Sequence, residues 1–133
     1  YITALVTVSP MEAIDWAAAN GQLEDAAVAD RLRAALLENP LSAPEGLAPV
    51  LRKVTEADEV RRRVVAAVRR GNQRLARVER IKRIVLLERE LSVADDELTP
   101  TMKVRRKTVE GKFTESFDRL YTDESYGIQI ESR

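Results

Sequence analysis

Lys103, in the stretch LTPTMKVRRK at 98–107, is the residue of this chain best placed for chemistry. A long cationic side chain presented just past a proline-stiffened turn suits contact with an anion. The residues after it read as a helix from about Val104 to Tyr121, because Val109, Phe113, Phe117 and Leu120 recur at spacings of four, four and three along one apolar stripe. Arg105, Arg106 and Lys107 then fall in its first turns. Cations there oppose the partial positive charge of a helix N-terminus, at roughly 0.3 to 1 kcal/mol each when exposed. That cost points to a negative group nearby. The plainer reading is a solvated Lys103 before a helix, with Arg105 and Arg106 as surface charge. Pro100, between two threonines, is most simply a turn former.

The elements that would position this lysine come from the rest of the pattern. Residues 1–8 alternate Ile2, Ala4, Val6 and Val8 against Thr3, Leu5 and Thr7, a strand with one more polar face. Ser9 is a good N-cap, Pro10 fits the first helical position and Glu12 can close a capping box, so a helix starts here. It carries Ile14, Trp16 and Ala17 and stops at Asn20-Gly21, with the single tryptophan read as a packing residue. Residues 24–38 form a second helical run, with Ala27, Val28, Leu32, Ala35 and Leu36 near one face and Asn39-Pro40 at its end. LSAPEGLAP reads as a loose connector, followed by a short apolar patch at Val50, Leu51 and Val54. Thr55, with Asp58 three residues on, is spaced to cap a third helix along which Val60, Val64 and Val68 recur, with Gly71 and Asn72 near its end. IVLL at 84–87 is short and rich in branched residues, which favours a buried strand. SVADDE at 92–97 is a polar turn. The tail holds a brief alternation at Tyr126, Ile128 and Ile130, a frayed end or short edge strand.

A length of 133 residues is one domain's worth. With no cysteine and no histidine, disulfides, thiol chemistry and a zinc site are excluded, and only carboxylates remain as metal ligands. Asp95, Asp96 and Glu97 lack the spaced ligand series and central glycine of a calcium loop, so no metal is expected. The 22 basic and 22 acidic residues balance, which argues against a dedicated nucleic-acid binder. The distribution is uneven: between Arg61 and Arg83 the ten basic residues, including Arg77, Arg80, Lys82 and Arg83, are opposed only by Glu79, which reads as a solvated positive face. No apolar run approaches a membrane span and no signal-peptide pattern is present, so a cytoplasmic location is expected. The strand pattern begins at Tyr1 without a preceding turn or initiator methionine and reads as part of a larger protein.

In their order and their residues, these elements resemble the small C-terminal domain of the adenylate-forming acyl-CoA synthetases, in particular bacterial long-chain fatty acid–CoA ligases. ALVTVSPMEAIDWAAANG at 4–21 looks like the strand and Trp-containing helix after that family's hinge. RVERIKRIVLLERELSVADDELTPTMKVRRK at 77–107 looks like the approach to its lysine motif, and KFTESFDRLY at 112–121 like its closing helix. The resemblance implies an α+β fold: a small mixed β-sheet flanked by several helices, with a lid domain over 1–122 and a tail over 123–133. It implies that the hinge, the phosphate loop and the acyl tunnel lie upstream, and that residues 1–8 pair with a strand before Tyr1. The open edge at 1–8 is then a place for self-association.

By the same resemblance, Lys103 belongs to a mobile lid that closes on an N-terminal adenylation domain, where it meets the fatty acid carboxylate and the α-phosphate of ATP. A cation there stabilises charge as it forms, and losing one such donor costs about 3 to 4 kcal/mol. Arg77, Arg80 and Lys82 are candidates for the nucleotide phosphate of CoA, and Arg105 and Arg106 for a phosphate contact. ATP, CoA and Mg2+ serve the full-length enzyme, the piece alone is inactive and binds none of them tightly, and peripheral membrane association is an option for the whole. Two alternatives stand beside this: a basic helix that binds nucleic acid or anionic lipid, and a non-catalytic interaction domain. The valine stripe and the lack of aromatic rings at 60–83 weigh against the nucleic-acid version.

Overall fold

Strand β2 (Ile81–Leu86) lies in the middle of a three-stranded sheet, parallel to β1 (Ile2–Val6) on one side and antiparallel to β3 (Ile128–Gln129) on the other. The computed structural model describes residues 1–131. Ile2 pairs with Ile81 and Val6 with Leu86, while Ile84 faces Ile128. A parallel pair cannot be closed by a tight turn; here the connection holds the helices α1 (Pro10–Ala19), α2 (Ala26–Glu38), α3 (Leu47–Glu56) and α4 (Asp58–Asn72). Two further helices, α5 (Arg106–Lys112) and α6 (Thr114–Thr122), precede β3. The fold is α+β with a small mixed sheet, as the sequence implied.

The chain divides into two units, and the sheet belongs to the one formed by Tyr1–Val6, Arg62–Leu86 and Leu91–Arg133. Its buried apolar residues are Ile84, Val109, Leu120 and Ile130, with α6 lying against β1 and β2. Polar side chains complete this core. Asn72, buried at the end of α4, donates from Nδ2 to the Ile81 carbonyl at 2.8 Å and accepts the Ile81 N–H at Oδ1 at 2.9 Å. One amide side chain thus satisfies both backbone groups of the first β2 residue, as a neighbouring strand would. Arg83 is only 5% exposed and donates to the carbonyls of Asp123, Glu124 and Tyr126. The positive face expected over 61–83 therefore loses Arg83 to the interior, where a five-donor guanidinium gathers the turn that leads into β3. The tail continues beyond β3, and the Ile130 N–H donates to the Lys82 carbonyl at 2.8 Å.

The second unit, Thr7–Arg61 with Leu87–Glu90, is helical. Ser9 caps α1 by accepting the Glu12 N–H at 3.5 Å, Pro10 stands at its start, and Asn20 and Gly21 end it, Gly21 at φ +66°. Asp25 caps α2 through the Ala27 N–H at 2.9 Å. The connector holds over 41–46, but its last three residues and the short patch after it form α3, amphipathic and buried through Leu47, Val50, Leu51 and Val54. Those positions follow the helical i, i+3, i+4, i+7 series, which outweighs the proline at 49 because a proline in the first turn forfeits no helical hydrogen bond. Thr55 does not cap the next helix: it is buried in the last turn of α3 and its hydroxyl donates to the Arg52 carbonyl at 3.1 Å. Trp16 is half-buried in α1, and its indole N–H meets no acceptor among the described residues.

Gly127, at φ +76°, tests how tightly the β3 turn sits on the sheet. A Cβ there would lie 2.5 Å from the Ile84 carbonyl oxygen and 2.6 Å from Leu120 Cδ2. Gly127→Ala is expected to lower stability by about 2 to 4 kcal/mol, combining the left-handed backbone penalty with overpacking, as read from the urea midpoint. In the same turn the Asp123 carboxylate accepts from the Ser125 hydroxyl at 2.6 Å and from Arg119 at 3.0 Å. These bonds, the Ser125 hydroxyl first, hold its pKa down at about 2. A depressed folded pKa adds stability above the ordinary carboxylate pKa, and that stability drains as pH falls through the folded value. The stability difference between the native protein and Asp123→Asn should therefore be constant above about pH 5 and shrink towards pH 2 in urea titrations.

Candidate functional site

Lys103 stands on a β-hairpin rather than directly before a helix. The Met102 N–H donates to the Thr99 carbonyl at 2.8 Å, closing a turn over Pro100 and Thr101, and the Thr99 N–H donates to the Lys103 carbonyl at 2.8 Å. Met102 then takes a left-handed backbone at φ +66°. A turn followed by one left-handed residue is the usual three-residue hairpin loop. Leu98 bridges Val104 in antiparallel fashion, and the Arg105 N–H donates to the Glu97 carbonyl at 2.8 Å. The Thr99 hydroxyl accepts the Lys103 N–H at 3.1 Å, so one threonine holds the lysine backbone twice. Methionine at positive φ costs of order 1 to 3 kcal/mol and persists only where the surroundings impose it.

The acidic turn before the hairpin supplies that constraint. Glu97 is 0% exposed, and its carboxylate accepts the Ser92 N–H at 3.1 Å and lies 3.6 Å from the Lys112 ammonium. The Lys112 ammonium also donates to the Asp95 carbonyl. Ser92 and Asp95 bond each other side chain to side chain at 2.7 Å, and the Leu98 N–H returns to the Ser92 carbonyl at 3.1 Å. Arg105 pairs with Asp96. The three acids once weighed as a metal loop are thus engaged inside the turn.

The cations around the hairpin fall into two groups. Arg105 and Lys112 are committed to the acidic turn. Lys103, Arg106 and Lys107 are exposed, and their charged ends meet no carboxylate among the described residues. The helix expected from Val104 to Tyr121 is broken in two at Phe113, and it starts at Arg106. Gly111 weakens the helix. The Thr114 hydroxyl donates to the Glu110 and Gly111 carbonyls, at 2.8 and 3.0 Å, competing for the backbone acceptors at that point. The apolar stripe itself survives the break, through Val109 and Leu120 in the core and Phe113 and Phe117 half-buried. Glu110, Thr114, Phe117, Asp118 and Tyr121 line an open depression of about 290 Å³, which includes none of the cations singled out in the sequence.

The other candidate cations lie elsewhere in the same unit. Lys82, on β2, has its ammonium 3.2 Å from Glu131, and Arg80 reaches the same carboxylate at 4.0 Å. The Lys82 hydrogen bond is the main cause of a Glu131 pKa below the ordinary range. Arg77 is exposed in a 3-10 turn at 77–79. An anion arriving at Lys82 or Arg80 would have to compete with Glu131.

Known proteins share this sequence in part. The protein named as fatty-acid–CoA ligase fadD11 in Mycobacterium tuberculosis is 35% identical over 85 residues, 64% of this chain and 15% of its own length. The long-chain-fatty-acid–CoA ligase FadD15 of the same species is 29% identical over 124 residues, 93% of this chain and 17% of its own. The similarity is to long-chain fatty-acid–CoA ligases. It is not confined to bacteria: the chicken long-chain-fatty-acid–CoA ligase ACSBG2 is 35% identical over 71 residues, 53% of this chain and 9% of its own. The chain therefore spans less than a fifth of the length of these ligases. No family model matches it, and no solved structure does.

Beside the Lys103 hairpin, the residues that the sequence pattern does not reveal are those that hold it: Glu97, Ser92 and Lys112. An acid at the end of a polar turn carries no sign that it will be buried. Only the fifteen-residue spacing from Glu97 to Lys112, with a hairpin folded between them, brings the charges together. Glu97→Ala removes the acceptor of the Ser92 N–H and the partner of Lys112, and is expected to cost about 2 to 3 kcal/mol. Urea unfolding measures the loss, and faster hydrogen exchange at the Ser92 and Arg105 amides would localise it to the hairpin base.

Proposed function

We propose that this chain is the mobile C-terminal domain of a fatty acid–CoA ligase and that Lys103 assists the adenylation step. The observation that carries the proposal is the contrast among the hairpin cations. Arg105 and Lys112 are spent on holding the loop, while Lys103 projects from it exposed and without an ion pair among the described residues. The similarity to fatty-acid–CoA ligases supplies the chemistry for which such a lysine is suited. A fatty acid carboxylate attacking the α-phosphate of ATP brings anions together, and a preorganised cation lowers the cost of doing so. The stiff three-residue loop matters because an ammonium already in place costs little to position when the lid closes.

In this reading the remaining machinery, including the ATP and fatty acid sites, is supplied by an upstream adenylation domain, and the acyl group then passes to CoA. Mg2+ would arrive with ATP. Among the described residues no group of carboxylates is placed to hold a metal ion. Arg106, exposed three residues after Lys103, is the companion candidate for phosphate; Arg105 would first have to leave Asp96. For the CoA phosphate, Arg77 is the candidate of the 77–82 set that is free of Glu131.

The test uses the full-length protein that contains this chain, assayed for pyrophosphate release dependent on ATP and fatty acid. Lys103→Ala is expected to slow acyl-adenylate formation on the order of a hundredfold to a thousandfold, while thioester formation from supplied acyl-adenylate and CoA is largely kept. Equal loss in both half-reactions, or no loss in either, would overturn the assignment.

A further inference from the structure

The connection between α4 and β2, residues 73–80, turns two aliphatic side chains outward: Val78 is 83% exposed and Leu75 38%. Arginines flank them along the chain. Arg70, Arg74 and Arg77 are exposed, and their guanidinium groups have no ion pair or hydrogen bond among the described residues. The neighbouring carboxylates are already engaged: Glu79 Oε2 accepts the Ala76 N–H at 3.2 Å, and Glu131 holds Lys82 and Arg80. Among the described residues no carboxylate pairs with the three arginines, and Glu79 is the one acid within the connection itself.

This connection is built rather than frayed. The Leu75 N–H donates to the Asn72 carbonyl at 3.0 Å, Arg80 Nε donates to the Leu75 carbonyl at 3.3 Å, and the Glu79 N–H closes the 3-10 turn on Ala76 at 2.8 Å. Buried Asn72 ties its two ends together through Ile81. A single exposed valine needs no explanation. A hydrogen-bonded connection with exposed aliphatic residues and unpaired arginines next to them in sequence is a different matter, because its charge and its apolar surface suit the same partner. At an anionic bilayer, guanidinium groups sit at the level of the lipid phosphates while short aliphatic side chains enter the boundary between headgroups and acyl chains. Nucleic acid answers the charge alone: residues 61–83 contain no aromatic ring for base stacking, and Val78 gains nothing from a phosphate backbone.

We propose that the 73–80 connection is a membrane-surface contact for anionic lipid, with Leu75 and Val78 entering the interface and Arg70, Arg74 and Arg77 meeting lipid phosphates. The contact is weak and reversible, since two aliphatic side chains fall short of even one acyl anchor. It makes no use of Lys103, and it shares only Arg77 with the ligase reading, where that residue is the candidate for the CoA phosphate.

Co-sedimentation of the full-length protein with phosphatidylcholine vesicles, with and without about one-third phosphatidylglycerol, tests it. Binding is expected on the anionic vesicles and to be several-fold weaker on phosphatidylcholine alone. The Arg74→Gln/Arg77→Gln pair should weaken binding about 25-fold, at about fivefold per arginine near such a surface. The Leu75→Ser/Val78→Ser pair should weaken it about tenfold or more. All these side chains are substantially exposed, so the melting temperature should stay within a few degrees of the native value. The proposal falls if native protein ignores anionic vesicles at low salt, or if the serine pair binds them as well as the native protein does. Displacement of the vesicles by excess free CoA or inorganic phosphate would assign the arginines to a soluble phosphate instead. Tight binding to duplex DNA that the serine pair retains would assign them to nucleic acid.

Discussion

The sheet-bearing unit depends on keeping β2 in place, and β2 is held by polar groups that have left water. At its first residue, the Asn72 amide satisfies both Ile81 backbone groups. In its middle, Arg83 crosses to three carbonyls of the turn before β3. A buried amide or guanidinium left short of partners is expensive, so each enforces one geometry more strictly than an aliphatic residue would. Parallel pairing with β1 and the short antiparallel pairing with β3 follow once β2 sits there.

The same logic recurs at the lysine hairpin. A buried carboxylate, Glu97, draws in the Ser92 N–H and the Lys112 ammonium, and the hairpin grows from that point. Met102 is held in a left-handed conformation it would not choose. The functional interest of the segment lies in this division of charge. Cations paired with the acidic turn hold the loop, and those without a carboxylate partner among the described residues remain available. Lys103 is therefore carried by a short, stiff loop, which suits a residue that has to arrive at an anion already oriented.

The two units use different means of stability. The helical unit relies on ordinary apolar packing, with Ile14, Leu32, Leu36, Val50, Leu51 and Val54 buried along the facing stripes of α1, α2 and α3. Its helix signals are local, and most were readable. Ser9-Pro10 begins α1 and Asn20-Gly21 ends it. The exception was α3, where prolines and a glycine in LSAPEGLAP obscured a run whose apolar spacing is helical from Leu47 onward. A proline near the start of a helix is harmless, so the apolar period and not the proline decides the element there.

Local pattern alone determined a strand within 1–8, the 84–86 part of the strand that begins at Ile81, the α1, α2 and α4 helices, the apolar stripe from Val109 to Leu120, and the turn before Lys103. Each is set by interactions between residues a few positions apart, which a sequence displays directly. Tertiary structure decided which charges are free. Arg83 and Glu97 look like surface residues in the sequence and are buried; Lys82 looks available and is paired with Glu131; Lys103, Arg106 and the arginines at 70, 74 and 77 keep their charge for a partner. The physical reason is that a charged group is hydrogen-bonded or paired by whatever the fold brings within a few ångströms of it. For Arg83 that partner lies about forty positions away along the chain, and for Lys82 forty-nine.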